Sequence, residues 1–495
     1  FTYDGHLPTD VSWSGAVSGT LHRVYNHELR VTSETVNGGN TVALGYDADG
    51  LLTSAGPLSL SRDAQNGRVT GLIVGGVVEA LSFDGFGDLS GRVVTGGGST
   101  LLSVSYVRDA LGRIIEKTET IGGETHVEGY VFDLAGRLSE VYRDGLLAAS
   151  YVYDDNGNRL TKATPAEMLS GAVDAQDRLL TYGTLSFTYA ERGVLQCRTD
   201  AASGGTTLYA YDPLGNLRQV TLPSGAVIDY VVDGTGRRVG KKVNGVLARG
   251  WLYRDALQPA AELDAGGAVV ARFVYGERVN VPDAMVKGGI TYRLVTDHLG
   301  SVRLVVDAAT GVVAQRIDYD EFGRVVLDTS PGFQPFGFAG GLYDPDTGLT
   351  RFGARDYDAE TGRWTAKDPL LFEGGDTNLY VYALGDPVNR VDYTGRSSDA
   401  LKWFFTGVLA AEAPLVVPAL ASTGIFGLCI LMALTLEDDT ASEDDVQRCK
   451  RVRTQCAAEC SDKALPTWKH DGMPFHKCYR QCVEAQNCWG VSYPE

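Results

Sequence analysis

Proline is scarce in this chain, 17 of 495 residues. The 61 glycines show no Gly-x-y period, which excludes a collagen-like rod. Basic charge is in deficit: 44 Lys and Arg face 62 Asp and Glu, for a formal net charge of −18. A duplex binder needs clustered Lys and Arg to displace counterions, and the arginines here are dispersed, so no nucleic-acid partner is expected. Cysteine is almost missing from the body, where Cys197 stands alone before Cys429. No P-loop, HExxH, GxSxG or dinucleotide fingerprint occurs, so no cofactor is expected. No basic-then-apolar leader is visible either. The sequence starts Phe1-Thr2-Tyr3-Asp4-Gly5, already inside a repeat; it reads as a fragment, and the missing export signal carries little weight.

What is present is repetition. Tyr106-Val107-Arg108-Asp109-Ala110-Leu111-Gly112-Arg113-Ile114 aligns with Tyr130-Val131-Phe132-Asp133-Leu134-Ala135-Gly136-Arg137-Leu138. Tyr151, Asp154, Gly157 and Arg159 repeat the theme, as do Tyr230, Asp233, Gly236 and Arg237. Shortened copies occur at Tyr46-Asp47, Tyr211-Asp212 and Tyr319-Asp320. Successive turn aspartates lie 24 positions apart (Asp109 to Asp133) and 21 positions apart (Asp133 to Asp154), room for two short strands and two turns. The alternating run Leu102–Val107 reads as a strand with one buried face. Asp109 closes a turn with its carboxylate, and Gly112 supplies a positive φ. Asp144-Gly145 and Asn244-Gly245 mark the opposite turns. A lone hairpin is marginal in water, so the units must pair edge to edge and curve. The predicted fold is mainly β, with tandem hairpins forming a curved or spiralling hollow shell. Residues near 161–205 are less regular; Ala175-Gln176-Asp177-Arg178-Leu179 keeps only the turn part of the repeat.

After about Gly288 the motifs become individually distinctive. Asp297-His298-Leu299-Gly300-Ser301-Val302-Arg303 is followed by Arg355-Asp356-Tyr357-Asp358, Gly362-Arg363-Trp364, Asp368-Pro369-Leu370, Asp386-Pro387-Val388-Asn389 and Asp392-Tyr393-Thr394-Gly395. In this order they resemble bacterial Rhs or YD-repeat proteins, with residues 297–395 similar to the Rhs-repeat-associated core. The resemblance implies that the repeats spiral into a β-cage, that the core closes its end, and that a variable C-terminal segment, often a toxin, follows. It assigns residues 1–288 to the shell and 289–395 to the core.

The resemblance also implies an aspartyl protease that cuts its own chain after the last core glycine, here between Gly395 and Arg396. Two carboxylates sharing a proton supply the neutral and the ionised acid that such chemistry needs. By motif, Asp358 and Asp368 fit the acidic positions, with Arg355 beside them and Asp356 as a further candidate. The bland alternative is that Asp368 caps a turn before Pro369. The family's usual ending is Asp-Pro-x-Gly, and the departure to Asp392-Tyr393-Thr394-Gly395 favours an intact chain. His298 reads as a structural hydrogen bonder, and the recurrent tyrosines as wall packing with a polar handle.

The tail divides in two, 396–440 and 441–495. Residues 413–436 form an apolar run between Glu412 and Glu437-Asp438-Asp439. It is long enough to cross a bilayer; the alternative is a buried helix pair inside the cage. Six cysteines then follow in an α-helical hairpin, with helices over Val446–Cys460 and Phe475–Cys488. An antiparallel register pairs Cys460 with Cys478, Cys456 with Cys482 and Cys449 with Cys488 in an oxidising compartment. Zinc, with His470 or His476, is the rival; the disulfide reading expects no metal. The leading function is a secreted or surface scaffold in the cell envelope that encloses or displays its own C-terminal region, with a membrane as further partner. The alternatives are a polymorphic toxin whose membrane-active segment is the effector, and an adhesin for a neighbouring cell or glycan.

Overall fold

The computed structural model describes residues 1–396. The expected membrane segment 413–436, the helical tail and the cysteine pairs Cys460–Cys478, Cys456–Cys482 and Cys449–Cys488 lie outside the described residues. Among those described, there are 36 strands and three short 3-10 turns. The strands from Thr2–Asp4 to Val325–Asp328 form one 32-stranded antiparallel sheet. Each strand pairs with the next in the chain, as in Ser103 opposite Thr120, Lys117 opposite Glu128 and Tyr130 opposite Val141. The ribbon runs through residue 288 without a break and ends at Asp328. A separate four-stranded sheet follows, built from Leu342–Asp344, Leu349–Phe352, Arg355–Asp358 and Arg363–Trp364.

The repeat motif works as a turn lock. Asp109 Oδ1 accepts the amides of Leu111 and Arg113, both at 2.9 Å, and Asp109 Oδ2 accepts Arg113 Nε at 2.8 Å. Gly112 sits at φ 80°, a region that a side chain would strain. Asp133 with Arg137 and Asp233 with Arg237 repeat the arrangement. The irregular stretch keeps it too. Asp174 Oδ1 accepts the amides of Gln176 and Arg178, Asp174 Oδ2 accepts Arg178 Nε at 2.6 Å, and Asp177 takes the glycine position at φ 60°.

In several units an aromatic residue just before the turn joins neighbouring units. Arg113 stacks on Phe132, Arg137 on Tyr153 and Arg237 on Tyr253, with the guanidinium carbon 4.6, 4.9 and 5.4 Å from the ring centroid. The Tyr46, Tyr153, Tyr253 and Tyr275 hydroxyls each donate at 2.8 Å to a backbone carbonyl of the preceding unit. A tyrosine before the aspartate thus supplies a face for the arginine and a donor for the backbone. This is the physical content of the Tyr-Asp pair.

The ribbon winds back over itself. Val11, Leu21 and Val36 pack with Leu252, Ala260 and Leu263. Val42, Leu58 and Val74 pack with Val274, Ala284 and Ala308. Val94, Leu102 and Val104 share a cluster with Val295, Leu304 and Val306. First-pass and second-pass strands advance together, as a spiral requires. Buried ion pairs join the two passes: Glu34 with Arg254 and Arg272, Glu79 with Arg293 at 2.5 Å, and Glu119 with Arg303 at 2.7 Å. Burial pushes the Glu79 carboxyl up, but Arg92 and Arg293 outweigh it and hold the group below its ordinary value. Beyond Asp328 the chain builds an aromatic core of Phe338, Phe352, Tyr357, Trp364 and Tyr382. This core positions the site described next.

Candidate functional site

The strand Arg355–Asp358 is held between Leu349–Phe352 and Arg363–Trp364. Strand alternation sends Arg355 and Tyr357 to one face, and Asp356 and Asp358 to the other. Tyr357 joins the aromatic core, and Arg355 lies against Trp364 with its guanidinium carbon 4.2 Å from the ring centroid.

The expected acids separate accordingly. Asp356 is buried and saturated, with Arg238 Nη2 at 2.7 Å and Arg351 Nη1 at 2.9 Å. It ties the core to the wall. Asp358 caps the turn into Arg363–Trp364, where its Oδ1 accepts Glu360 N at 3.0 Å and its carbonyl accepts Gly362 N at 2.8 Å. The acid that the fold brings to Asp368 is therefore not Asp358 but Asp392. Arg355 Nη2 lies 2.6 Å from Asp368 Oδ2 and 3.1 Å from Asp392 Oδ2.

The Gly395–Arg396 peptide lies against the same group. Arg355 Nε donates to the Gly395 carbonyl at 2.6 Å, while the Arg396 amide donates to Asp392 Oδ1 at 3.1 Å. Ala354 N holds the Thr394 carbonyl at 2.8 Å. Gly395 is at φ 65°, and a Cβ there would stand 2.4 Å from Phe352 O. A Cβ on Gly374 would stand 2.9 Å from both Arg396 O and Asp368 Oδ2, so that glycine leaves room for the chain to pass Asp368. A cavity of about 20 Å³ is lined by Arg355, Asp368, Leu371 and Asp392, enough for one water. Burial raises Asp368, and Arg355 offsets this only in part. Asp368 Oδ1 also accepts Leu370 N at 2.8 Å, so it caps its turn as well.

Asp392 is the residue that sequence reasoning missed. Its motif was visible as the end of the core, but its link to Asp368 runs through Arg355, 37 positions earlier. Tyr393, where the chain departs from the usual ending, is buried with its hydroxyl 3.5 Å from the Leu299 carbonyl. His298 is structural as expected, with Nε2 2.7 Å from the Val388 carbonyl.

The profile of the teneurin YD-shell family matches residues 1–388. The chain belongs to the teneurin YD-shell family. Its Tyr-Asp units and closing segment make it an Rhs/YD-repeat protein with a β-shell fold. Teneurin-3 of Danio rerio is 29% identical over 309 residues, 59% of this chain and 11% of that protein. Teneurin-4 of Mus musculus is 28% identical over 321 residues, 62% of this chain and 11% of that protein. The tRNA3(Ser)-specific nuclease WapA of Bacillus spizizenii is 27% identical over 270 residues, 52% of this chain and 11% of that protein. The chain thus spans about a tenth of the length of these relatives. Among solved structures, the TcdB2–TccC3–Cdc42 crystal structure superposes with a TM-score of 0.57 at 16% identity, covering 77% of this chain and 22% of that one. The Photorhabdus luminescens Tc holotoxin pore gives 0.54 at 16% identity, with 80% and 22% covered. At that identity the likeness is one of fold.

Proposed function

We propose that this YD-shell is an exported scaffold that encloses or displays the polypeptide following its core, and that the core releases that polypeptide by cutting the Gly395–Arg396 bond. The observation that carries the second part is that Arg355 and Asp392 hold the two ends of one peptide group, while Asp368 pairs with the same Arg355. In this reading one aspartate is protonated and the other ionised. The ionised carboxylate takes a proton from a water in the small cavity beside it, and the water oxygen attacks the Gly395 carbonyl carbon. Arg355 steadies the developing oxyanion through Nε. The protonated acid delivers its proton to the Arg396 nitrogen as the C–N bond breaks. The products are a Gly395 carboxylate and a free Arg396 amine.

The toxin reading is the second. It draws on the likeness to a nuclease, WapA, and to Tc toxin shells. There the released segment, carrying the apolar run 413–436, is the effector, and a membrane is its partner. Adhesion to a neighbouring cell or glycan draws on the teneurin likeness alone. Intact-mass analysis of purified protein tests the cleavage. Two species that separate at Gly395–Arg396 support it, and Asp368→Asn should return the single 53.0 kDa chain. Wild-type protein that stays a single chain under all conditions between pH 4 and 8 rejects the protease and leaves a tethered scaffold.

A further inference from the structure

Three glycines line the strand that carries the Gly395–Arg396 bond. Gly353 is at φ 41°, and a Cβ there would stand 2.3 Å from the Thr394 carbonyl oxygen. A Cβ on Gly395, at φ 65°, would meet Arg355 N at 2.8 Å as well as Phe352 O. These two glycines let the backbones of 352–355 and 394–396 touch. Their neighbours are main chain, which cannot swing aside as a flexible side chain can, and a left-handed φ penalises any side chain at either position.

Gly374 differs. Its φ lies outside the left-handed region, so conformation does not ask for glycine there. Contact does: the Cβ position lies 2.9 Å from Arg396 O, 2.9 Å from Asp368 Oδ2 and 3.0 Å from Asp368 Cγ. Two oxygens equally near one point are no more than twice that distance apart. The carbonyl that follows the bond and the Asp368 carboxylate therefore gather around one methyl-sized space. Burial acts most strongly on Asp368 and raises it; Arg355 and, more weakly, Arg396 draw it back. Asp392 and Ala354 fix the strand through the Arg396 amide and the Thr394 carbonyl.

Gly375 supplies the contrast one position on. It is exposed, at φ 92°, and a Cβ there meets nothing within 4 Å. Conformation alone asks for glycine at 375, and contact alone at 374.

We propose that Gly374 is a positioning residue for the cleavage: its missing side chain lets Asp368 stay on Arg355 while the chain beyond Gly395 passes, and with Gly353 and Gly395 it forms a slot that takes a strand with glycine before the cut. The inference rests on the cleavage reading above. A methyl at 374 pushes against Asp368 Oδ2, the oxygen that pairs with Arg355 at 2.6 Å, or against the Arg396 carbonyl. The first movement weakens the ion pair that offsets burial, and so raises Asp368 further. The second carries the bond away from Arg355 Nε and Asp392.

Intact-mass time courses of the full-length chain from pH 5 to 8, with melting temperatures beside them, test this in wild type, Gly374→Ala, Gly375→Ala and Gly395→Ala. Gly374→Ala should cut about tenfold more slowly or worse, and Gly375→Ala within about threefold of wild type. Gly374→Ala should melt no lower than Gly375→Ala. Its residual cutting should persist to higher pH than in wild type, a shift that loosened packing alone would not produce. Gly395→Ala should stay whole, and this holds whether or not Gly374→Ala folds. Wild type that cuts, with Gly374→Ala or Gly395→Ala cutting at the same rate, overturns the slot. Equal slowing in Gly374→Ala and Gly375→Ala with an unmoved pH profile overturns the positioning role, since loop strain would then account for both. Wild type that stays whole at every pH fails the cleavage reading itself and takes this inference with it.

Discussion

Arg137 lies beneath the ring of Tyr153, one repeat away, its guanidinium carbon 4.9 Å from the centroid. Its Nε meets Asp133 Oδ2 at 2.7 Å, and its Nη1 meets the Asp154 carbonyl at 2.7 Å. One side chain thus serves its own turn, the next turn and the aromatic residue between them.

Replacing Arg137 should therefore cost more than a surface ion pair. Arg137→Ala loses stacking worth about 0.5–1 kcal/mol and charge-assisted hydrogen bonds worth about 1.5–3 kcal/mol. Arg137→Lys should recover only a small part, because an ammonium lacks the planar fork. Denaturant melts of the two variants check the order. A lysine variant as stable as wild type would show that charge alone matters.

The staples between the two passes of the ribbon make a stronger prediction. Glu79→Gln leaves Arg92 buried without its carboxylate and Arg293 with Asp283 alone, at a cost of about 3–5 kcal/mol. The pH dependence has a definite sign. The folded pKa of Glu79 is held down, so its contribution is present above the ordinary glutamate value and is lost as pH falls through the folded one. Acid melts of wild type and Glu79→Gln should converge at low pH. Parallel curves would place the acid sensitivity elsewhere.

The seam between passes is also sterically tight. Gly311 is at φ 76°, and a Cβ there would lie 2.2 Å from Gly97 N. Gly311→Ala should shift the melting temperature down, while Gly145→Ala, at φ 80° with open space around it, should cost only the backbone strain of about 1–2 kcal/mol. Comparing the two separates close packing from turn conformation.

The hairpin array was legible because its causes are local. Asp109, Gly112 and Arg113 act on each other within five residues, so the turn is written in the motif. The winding was not, because Glu79 meets Arg293 across 214 positions, and nothing near Glu79 names its partner. The site lay between these cases. Arg355, Asp368 and Gly395 came from motif order. Asp358 was matched by motif while its place on the strand argued against it: three positions from Arg355, it faces the other way. Asp392 needed the chain path that folds residues 392–396 back along Phe352–Arg355.

Two substitutions decide which carboxylates cut the chain, if it is cut. Asp392→Asn removes the charge that faces both Arg355 and the Arg396 amide, yet its side-chain oxygen can still cap the turn that receives Thr394 Oγ1 at 2.9 Å. Folding should survive and cleavage should stop. Asp358→Asn keeps the oxygen that accepts Glu360 N and touches none of the groups around Gly395. It should leave cleavage within about threefold of wild type, less than 1 kcal/mol in the barrier. The rate should also rise on mild acidification, because burial holds Asp368 above the ordinary aspartate value and the shared proton persists to higher pH. Mass spectrometry over a time course at pH 5 and 8 reads all three. Loss of cleavage in Asp358→Asn with retention in Asp392→Asn would hand the chemistry to the other face of the strand and sink the assignment made from Arg355.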